Sequence, residues 1–296
     1  MSYYELFVSS PANFSGFQKP FEQSDYAVIG VPFDVTSTYR TGARFGPIAI
    51  RQASLNIETY SFRSQMDVED LKIHDLGDLH VSSDVTETLR RLELVMRDVL
   101  EKGKTPVLIG GEHTITLGAV KGISKKFGVV SFDAHLDLRN EYMNLETSHT
   151  TFMRRINEQV KPTKIVEIGT RAVCKEELQY AKAANIQYFT MEQIRREECK
   201  ILRRKIEEAL RDCENIYLTI DMDVLDPAYA PAVQNPEPDG LDMATFLDIL
   251  ESICNFPIVG LDLVEVAPTF DSGLTSIQAA KILFEALCQI EKARRV

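Results

Sequence analysis

The chain has 296 residues, 44% of them hydrophobic, and a formal net charge of −11. Its length allows one large α/β domain or two small ones, and its acidic balance argues against nucleic acid or an anionic membrane surface as a partner. Its five cysteines are scattered and include no CxxC pair, a usage typical of reduced thiols. The first residues do not resemble a signal peptide and no apolar run is long enough to span a membrane, so we expect a cytoplasmic location.

Short apolar runs alternate with helical patterns along the chain. Most of these runs are uniformly apolar, which is typical of parallel strands buried on both faces. The eight predicted strands are 26–30, 71–76, 106–109, 129–132, 164–168, 187–189, 215–220 and 257–263. The clearest predicted helices are 85–102, 199–211, 242–254 and 276–294. The pattern predicts a single domain over 25–296, with helices on both faces of a parallel sheet, preceded by an N-terminal arm over 1–24.

Two short segments place ligand-type side chains at every second position directly after an apolar run. They are Asp133-Ala134-His135-Leu136-Asp137 and Asp221-Met222-Asp223. Residues two apart in an extended strand point to the same side, so we expect the acids and the histidine of each segment to project together. His113 and Glu265 also follow predicted strands, and ligands of open α/β sheets bind beyond the carboxyl ends of the strands.

These strand ends predict a metal centre. Four carboxylates and two imidazoles form an oxygen-rich set that favours Mn²⁺ over Zn²⁺, whose structural sites often use thiolates. A lone Asp-X-Asp is usually a turn or a helix cap, and a single Mg²⁺ or Zn²⁺ site is the alternative to a pair of ions. The six expected ligands are His113, Asp133, His135, Asp137, Asp221 and Asp223.

A series of motifs, in this order, resembles the ureohydrolases, the family of arginase and agmatinase, from about residue 27 onward. The motifs are the block 42–51, Gly110-Gly111-Glu112-His113, the segment 133–137, the segment 219–227, and Asp262-Leu263-Val264-Glu265-Val266-Ala267-Pro268. The resemblance implies an arginase-like three-layer α/β/α sandwich with an eight-stranded parallel sheet. It also implies two Mn²⁺ ions per chain and a homotrimer or homohexamer. Asp34, Arg44 and Arg51 fall in or near the first block, and we expect them to make fold or subunit contacts.

The same resemblance implies which residues bind which ion. One ion would take His113, Asp133, Asp137 and Asp221, and the other would take His135, Asp133, Asp221 and Asp223. A hydroxide between the ions would attack the guanidinium carbon and release urea and an amine.

Three residues are expected to be catalytic by the resemblance: Asp137, His149 and Glu265. Glu265 matches the position that holds the substrate guanidinium, a planar cation whose N–H groups suit a carboxylate. His149 matches a mobile-loop histidine that carries a proton to the leaving amine, a role suited to imidazole near neutral pH. The family usually has Gly after this histidine, whereas this chain has Thr150, so we expect a different loop shape.

The tail of the substrate is predicted from the loop after the Asp-X-Asp motif. The core Pro236-Glu237-Pro238 matches agmatinase-like members and favours the conversion of agmatine to putrescine, a step of polyamine biosynthesis. Residues 232–235 are larger than their counterparts in those members, which argues against agmatine itself. Arg139 stands where arginase has an Asn, and an Arg can pair with a substrate carboxylate. Arginase and guanidinobutyrase activities therefore remain alternatives, and we expect Glu265, Arg139 and Asn235 to bind a small cationic guanidino substrate.

Two other classes of function are compatible with the predicted fold. A metal-dependent amide hydrolase of the deacetylase kind is disfavoured by Glu265, which is well placed for a guanidinium. A non-catalytic metal-binding scaffold is disfavoured by the complete ligand set and by His149. The leading prediction is an agmatinase-like, binuclear manganese hydrolase that acts on linear amidines.

Overall fold

The structure is a computed structural model that describes residues 2–9 and 13–295. Its centre is a nine-stranded sheet in the order β1-β5-β2-β6-β11-β10-β7-β8-β9. The strands of this sheet are β1 (Val8–Ser9), β2 (Tyr26–Val31), β5 (Ile73–Leu79), β6 (Thr105–Gly110), β7 (Gly128–Phe132), β8 (Ile165–Thr170), β9 (Gln187–Thr190), β10 (Ile216–Asp221) and β11 (Ile258–Val264). Two short strands, β3 (Tyr60–Ser61) and β4 (Met66–Asp67), form a separate hairpin. All pairs within the large sheet are parallel except the edge pair β1–β5. The eight predicted parallel strands are confirmed, and β1 is an additional edge strand.

Helices cover both faces of the sheet. They are α1 (Tyr3–Phe7), α2 (Gly46–Ser54), α3 (Val85–Glu101), α4 (Ile115–Lys121), α5 (Phe152–Arg155), α6 (Lys175–Ala183), α7 (Met191–Arg196), α8 (Cys199–Leu210), α9 (Met243–Ile253) and α10 (Leu274–Arg295). One layer contains α2, α7, α8, α9 and α10, and the other contains α1, α3, α4, α5 and α6. The fold is thus the expected three-layer α/β/α sandwich. Within the described residues, no helix is long and apolar enough to cross a membrane.

The hydrophobic core lies in two parts, one on each face of the sheet. Along β2, Val28 belongs to the part under α10, whereas Ala27 and Ile29 belong to the part under α3. Every residue of β2, β6, β7, β10 and β11 is buried, because successive side chains of each strand point to opposite, covered faces. This double burial explains why these strands are mostly apolar, with few polar residues such as Thr219 and Asp262.

The described part of the predicted N-terminal arm packs on the chain's own domain. Helix α1 lies against α3, and the rings of Tyr4 and Phe21 are 4.9 Å apart. Phe14 is fully buried, with its ring 5.4 Å from that of Phe284. Residues 1 and 10–12 of the predicted arm lie outside the described residues, and its boundary at residue 24 stays a prediction.

A buried ion pair joins helix α2 to strand β5. The Arg51 side chain is fully buried, and its Nε and Nη2 donate to Asp75 at 2.8 and 2.9 Å. Its Nη1 also donates to Asp78. A Cβ at Gly30 would lie only 1.9 Å from Asp78 Oδ1, so this glycine leaves room for the pair. Arg51 is therefore a fold contact within the chain, and Arg44 likewise pairs with Asp34.

We expect Arg51→Met to lower the free energy of unfolding by roughly 3–5 kcal/mol, because it leaves the Asp75 carboxylate buried without its cation. The measurement is the denaturant midpoint. Arg196→Met is the matched control, since it breaks a pair with Glu192 in which both side chains are largely exposed, and such pairs contribute little. Equal midpoints for the two variants would contradict the role of Arg51.

Candidate active site

The predicted site residues meet at one edge of the sheet. Strands β6, β11, β10 and β7 are neighbours in this order, and all four are parallel. Their carboxyl ends therefore lie side by side. His113 and Glu265 follow β6 and β11, Asp221 ends β10, and Asp133 follows β7.

The first cluster of possible ligands is centred on His113. Its Nδ1 lies 3.1 Å from Asp133 Oδ2, 3.1 Å from Asp221 Oδ2 and 3.8 Å from Asp137 Oδ2. Ligand atoms of His113, Asp133 and Asp221 all lie within 4.8 Å of one another, which is close enough to hold one ion. Asp137 lines the same pocket.

The second cluster shares Asp133 with the first. His135 Nδ1 lies 3.0 Å from Asp223 Oδ2 and 3.4 Å from Asp133 Oδ1. The atoms of Asp133, His135 and Asp223 again lie within 4.8 Å of one another. Because the two oxygens of Asp133 face different histidines, this carboxylate lies between the two clusters.

Main-chain N–H groups orient the carboxylates. Asp133 Oδ1 accepts from the main-chain nitrogen of His135 at 2.6 Å, and Asp221 Oδ1 accepts from that of Asp223 at 2.8 Å. Asp223 Oδ1 accepts from Ala134 N at 3.1 Å and so links the two acidic segments. Each bond uses one lone pair of its oxygen and leaves others for a cation.

Two site residues adopt a backbone conformation that is uncommon for residues other than glycine. Asp137 has a φ of 49° and Glu265 a φ of 70°. The strands end at Phe132 and Asp221, and Met222–Val224 forms a 3-10 helix. The extended geometry that the alternation argument assumes therefore does not hold for either acidic segment, and the sequence pattern did not reveal these turns. Such strain is often found where a site imposes the geometry.

The electrostatics of the pocket fit a cation centre. Burial and the charges of neighbouring acids raise the pKa values of Asp137 and Asp221 well above the ordinary range. Burial opposes the charging of His113 and His135, but the adjacent carboxylates raise the pKa of both well above the usual value. A divalent cation among these donors would replace mutual repulsion by attraction. The donor set, with four carboxylates and two imidazoles, is one that a hard or borderline divalent ion accepts.

Glu265 is buried and lines the pocket beside the ligands. Its Oε1 accepts from the main-chain N–H of His113 at 2.6 Å, and its own N–H donates to Gly111 O at 2.8 Å. Burial and the charge of Asp221 raise its pKa well above the usual value. The carboxylate is thus fixed in place with lone pairs to spare, in surroundings that favour a cationic partner.

A threonine and an aspartate support His113 from behind. His113 Nε2 lies 2.8 Å from Thr219 Oγ1, whose hydroxyl donates to Asp262. Tyr217 and Thr116 donate to the same carboxylate at 2.7 and 2.8 Å. Since the single hydrogen of Thr219 goes to Asp262, the ring donates from Nε2 and presents Nδ1 to the carboxylates. Sequence reasoning missed Thr219, although it stands two residues before Asp221, on the same face of β10.

His149 lines the same pocket, and threonine hydroxyls contact both of its ring nitrogens. Thr36 Oγ1 lies 3.2 Å from Nδ1, and Thr38 Oγ1 lies 3.1 Å from Nε2. Burial, together with the charges of His135 and His113, lowers the pKa of His149 to about 4. Thr150 also lines the pocket and does not have a positive φ, so the loop accommodates this β-branched residue. Sequence reasoning missed Thr36 and Thr38, since nothing local marks them.

Arg171 connects the acidic loop to the loop that carries Glu237. Its guanidinium donates to the main-chain carbonyls of Asp223 at 2.6 Å, Glu237 at 2.8 Å and Pro238 at 3.0 Å. Burial lowers the pKa of the Arg171 guanidinium. Its hydrogen bonds to the carbonyls replace some of those that water would otherwise make. This residue was also missed, because a single arginine after a strand carries no signal in a sequence.

The expected substrate-binding residues lie in different surroundings. Asn235 lines the pocket, and its buried Oδ1 finds no hydrogen-bond partner in the part of the chain that the structure describes. Arg139 is half-buried, lies 5.1 Å from the ring centre of Tyr142, and is not among the lining residues. Ala232, Val233 and Gln234 are buried. Of the four unusual loop residues, only Asn235 thus faces the pocket.

Comparisons with known proteins agree with this geometry. The chain matches the model of the arginase family over residues 24–288. It is 42% identical to an uncharacterized 32.2 kDa protein of Methanothermus fervidus and 35% identical to an agmatinase of Bacillus anthracis, in each case over 90% of this chain and 92% of the relative. It also resembles the crystal structure of an agmatine ureohydrolase of Thermoplasma volcanium, with a TM-score of 0.89 and 33% identity over 97% of both chains. The chain therefore belongs to the arginase family, and it is a ureohydrolase that hydrolyses a guanidino compound to urea.

Proposed function

We propose that this ureohydrolase uses two Mn²⁺ ions to hydrolyse agmatine to putrescine and urea. The observation that carries the proposal is the pair of ligand clusters that share Asp133, set beside the buried carboxylate of Glu265. The agmatinase and agmatine ureohydrolase that resemble the chain support the same substrate.

The residues proposed to hold the ions are the six that the sequence predicted. One ion would be held by His113, Asp133, Asp137 and Asp221, and the other by His135, Asp133, Asp221 and Asp223. Four carboxylates favour Mn²⁺ over a softer ion. When bound, the ions would lower the pKa of a water and orient it for attack on the guanidinium carbon.

Glu265 is proposed to hold the guanidinium. Its Oε1 is oriented by His113 N–H, and the remaining lone pairs can accept N–H groups of a planar cation. A guanidinium also brings a positive charge into a pocket crowded with acids. Glu265 thereby both attracts the substrate and fixes the angle at which its central carbon faces the ligand clusters.

His149 is proposed to move the proton that the reaction transfers. Hydrolysis of a guanidinium needs a proton at the leaving nitrogen, and that proton originates from the attacking water. With its pKa lowered to about 4, the imidazole is neutral near pH 7 and able to accept this proton before passing it on. Asp137, beside His113 on the pocket wall, is proposed to assist as a ligand that also orients the reacting water.

The mouth of the pocket supports a substrate with a cationic tail. Asn235 contributes an acceptor oxygen that has no partner among the described residues, and Thr150 contributes a hydroxyl. The Glu237 carboxylate is partly exposed and lies 3.9 Å from His135 Nε2. Acceptors and an acid suit the ammonium of agmatine better than the carboxylate of arginine or 4-guanidinobutyrate. The latter two remain the second candidates, because Arg139, which could pair with a substrate carboxylate, lies against the ring of Tyr142 and does not line the pocket.

We also propose that the enzyme is a cytoplasmic homotrimer or homohexamer. The support is the family resemblance for the oligomer and the unpaired cysteines for the compartment. Sedimentation of the purified protein would test the assembly, since a monomer would contradict it.

The main experiment is urea release from Mn²⁺-loaded protein on agmatine, L-arginine and 4-guanidinobutyrate side by side. We expect kcat/KM for agmatine to exceed the others by at least roughly tenfold, because placing a carboxylate against Glu237 costs more than a factor of ten in binding. Metal analysis of the same sample should give two Mn²⁺ per chain. A clear preference for a guanidino acid would overturn agmatine, and urea from none of the three would overturn the choice of substrates.

Asp133→Asn should reduce urea formation by more than roughly a hundredfold, because it removes the carboxylate whose two oxygens face the two ligand clusters. Asp212→Asn is the matched control, since Asp212 is exposed and paired with Arg211 at the surface. Bound manganese should fall in the first variant and stay constant in the second. Full activity of Asp133→Asn would show that the metal assignment is wrong.

The affinity for Mn²⁺ should fall as the pH falls. Because the pKa values of His113, His135, Asp137 and Asp221 are raised, the folded protein holds protons there that an incoming cation must displace. We expect added Mn²⁺ to raise Tm strongly at about pH 8 and less at about pH 6. A gain in Tm that is the same at both pH values would contradict proton displacement.

A further inference from the structure

The two pocket histidines His113 and His149 share one kind of support. Each ring has a nitrogen that contacts the hydroxyl of a threonine, and each threonine contacts a buried carboxylate. For His113 this support comes from Thr219 and Asp262, as described above. For His149 the threonine is Thr36, on the loop after β2, and the carboxylate is Glu112, next to a proposed ligand.

The hydrogen of the Thr36 hydroxyl can be located by its contacts. Thr36 Oγ1 lies 2.6 Å from Glu112 Oε1, the shortest of its contacts. It lies 3.1 Å from the main-chain nitrogen of His149 and 3.2 Å from the ring Nδ1. A hydroxyl has one hydrogen and two lone pairs. If the hydrogen goes to Glu112, both lone pairs accept from His149, one from the main-chain N–H and one from Nδ1–H.

Other donors converge on Glu112 and explain why it takes this hydrogen. Its Oε2 accepts from Thr36 N at 2.7 Å, and its Oε1 also accepts from Thr114 Oγ1 at 2.7 Å. Three donors thus point at the two oxygens of Glu112, which accept from each of them.

Thr38 differs from Thr36 in one respect. Its half-buried hydroxyl lies 3.1 Å from His149 Nε2 and no carboxylate contact is recorded for it among the described residues. A hydroxyl whose hydrogen is uncommitted can donate to a bare nitrogen or accept from a protonated one. Nε2 can therefore gain and lose a proton without losing its hydrogen bond, whereas Nδ1 cannot lose its proton without facing a lone pair of Thr36.

We propose that Thr36, oriented by Glu112, is a positioning residue that fixes His149 as the Nδ1–H tautomer, so that Nε2 is the nitrogen that carries the proton to the leaving amine. The inference rests on the proposed role of His149. In the step, the Nε2 lone pair takes a proton that originates from the attacking water and forms the imidazolium. The N–H bond at Nε2 then breaks and the proton goes to the leaving nitrogen, which restores the starting tautomer.

The first test compares Thr36→Val with Thr36→Ser. Valine has nearly the shape of threonine but accepts no hydrogen bond, whereas serine keeps the hydroxyl. We expect Thr36→Val to lower kcat for urea release by roughly 10- to 100-fold with KM changed less than about threefold, and Thr36→Ser to recover most of kcat. Equal kcat values for wild type and Thr36→Val would overturn the proposal, and so would a failure of serine to restore the rate.

The second test measures the tautomer without using activity. Protein carrying ¹⁵N-labelled histidine gives ring-nitrogen shifts that distinguish N–H from bare nitrogen, and His149→Asn identifies the signals of His149 among the five histidines. We expect bare Nε2 in wild type, in Thr36→Ser and in the control Thr38→Val, which leaves Thr36 intact. We expect a mixture of tautomers in Thr36→Val and in Glu112→Gln.

The two tests separate this inference from the proposed function. A protonated Nε2 with a bare Nδ1 in the wild-type spectrum would overturn the role of Thr36, whatever the substrate. Wild-type protein that releases no urea from any guanidino compound would overturn the proposed function, while the spectrum would still decide the tautomer. If Thr36→Val fails to fold, the spectrum of Glu112→Gln decides, and an unchanged tautomer there counts against the proposal.

Discussion

The structure depends on the concentration of negative charge at one buried edge of the sheet. Asp133, Asp221 and Asp223 are almost fully buried within a few ångströms of one another. Such a group is stable only where hydrogen bonds and cations offset its repulsion. Here the repulsion is offset by main-chain N–H groups, two imidazoles and the proposed ions. The strand ends that carry the acids are held in place by the two hydrophobic cores. The fold thus supplies the rigidity that the charges require.

Around this centre, polar groups are arranged in layers, each fixing the one inside it. Asp262 fixes Thr219, which fixes the ring of His113, and Glu112 in the same way fixes Thr36. The outer groups are buried residues whose hydrogen-bonding capacity is nearly filled, so they have little freedom to rearrange. A ligand sphere supported like this loses little entropy when a cation or a substrate binds, which favours tight and specific binding.

Much of this was accessible from the sequence, and the exceptions have physical reasons. All eight parallel strands and the meeting of His113, Asp133 and Asp221 follow from apolar runs and from where acids follow them. Thr36 and Arg171 were not predicted, because their partners are distant in sequence and many threonines and arginines look alike. The larger residues 232–234 were expected near the substrate tail but pack inside, since Val233 pairs with Val266 and buries its side chain.

The hydrogen bonds of Arg171 to two loops limit how the substrate of this enzyme can change in evolution. The Arg171 guanidinium donates to the main-chain carbonyls of both Asp223 and Glu237. A shift of the loop that carries Glu237 would therefore also move Asp223, a proposed metal ligand. Insertions or deletions in that loop would therefore compromise catalysis along with selectivity. Substrate selectivity can change only through side-chain replacements that leave the main chain in place, such as replacements of Asn235 and Thr150. Evolution of new substrates in this scaffold should thus proceed by point replacement at the mouth, with the loop length held constant.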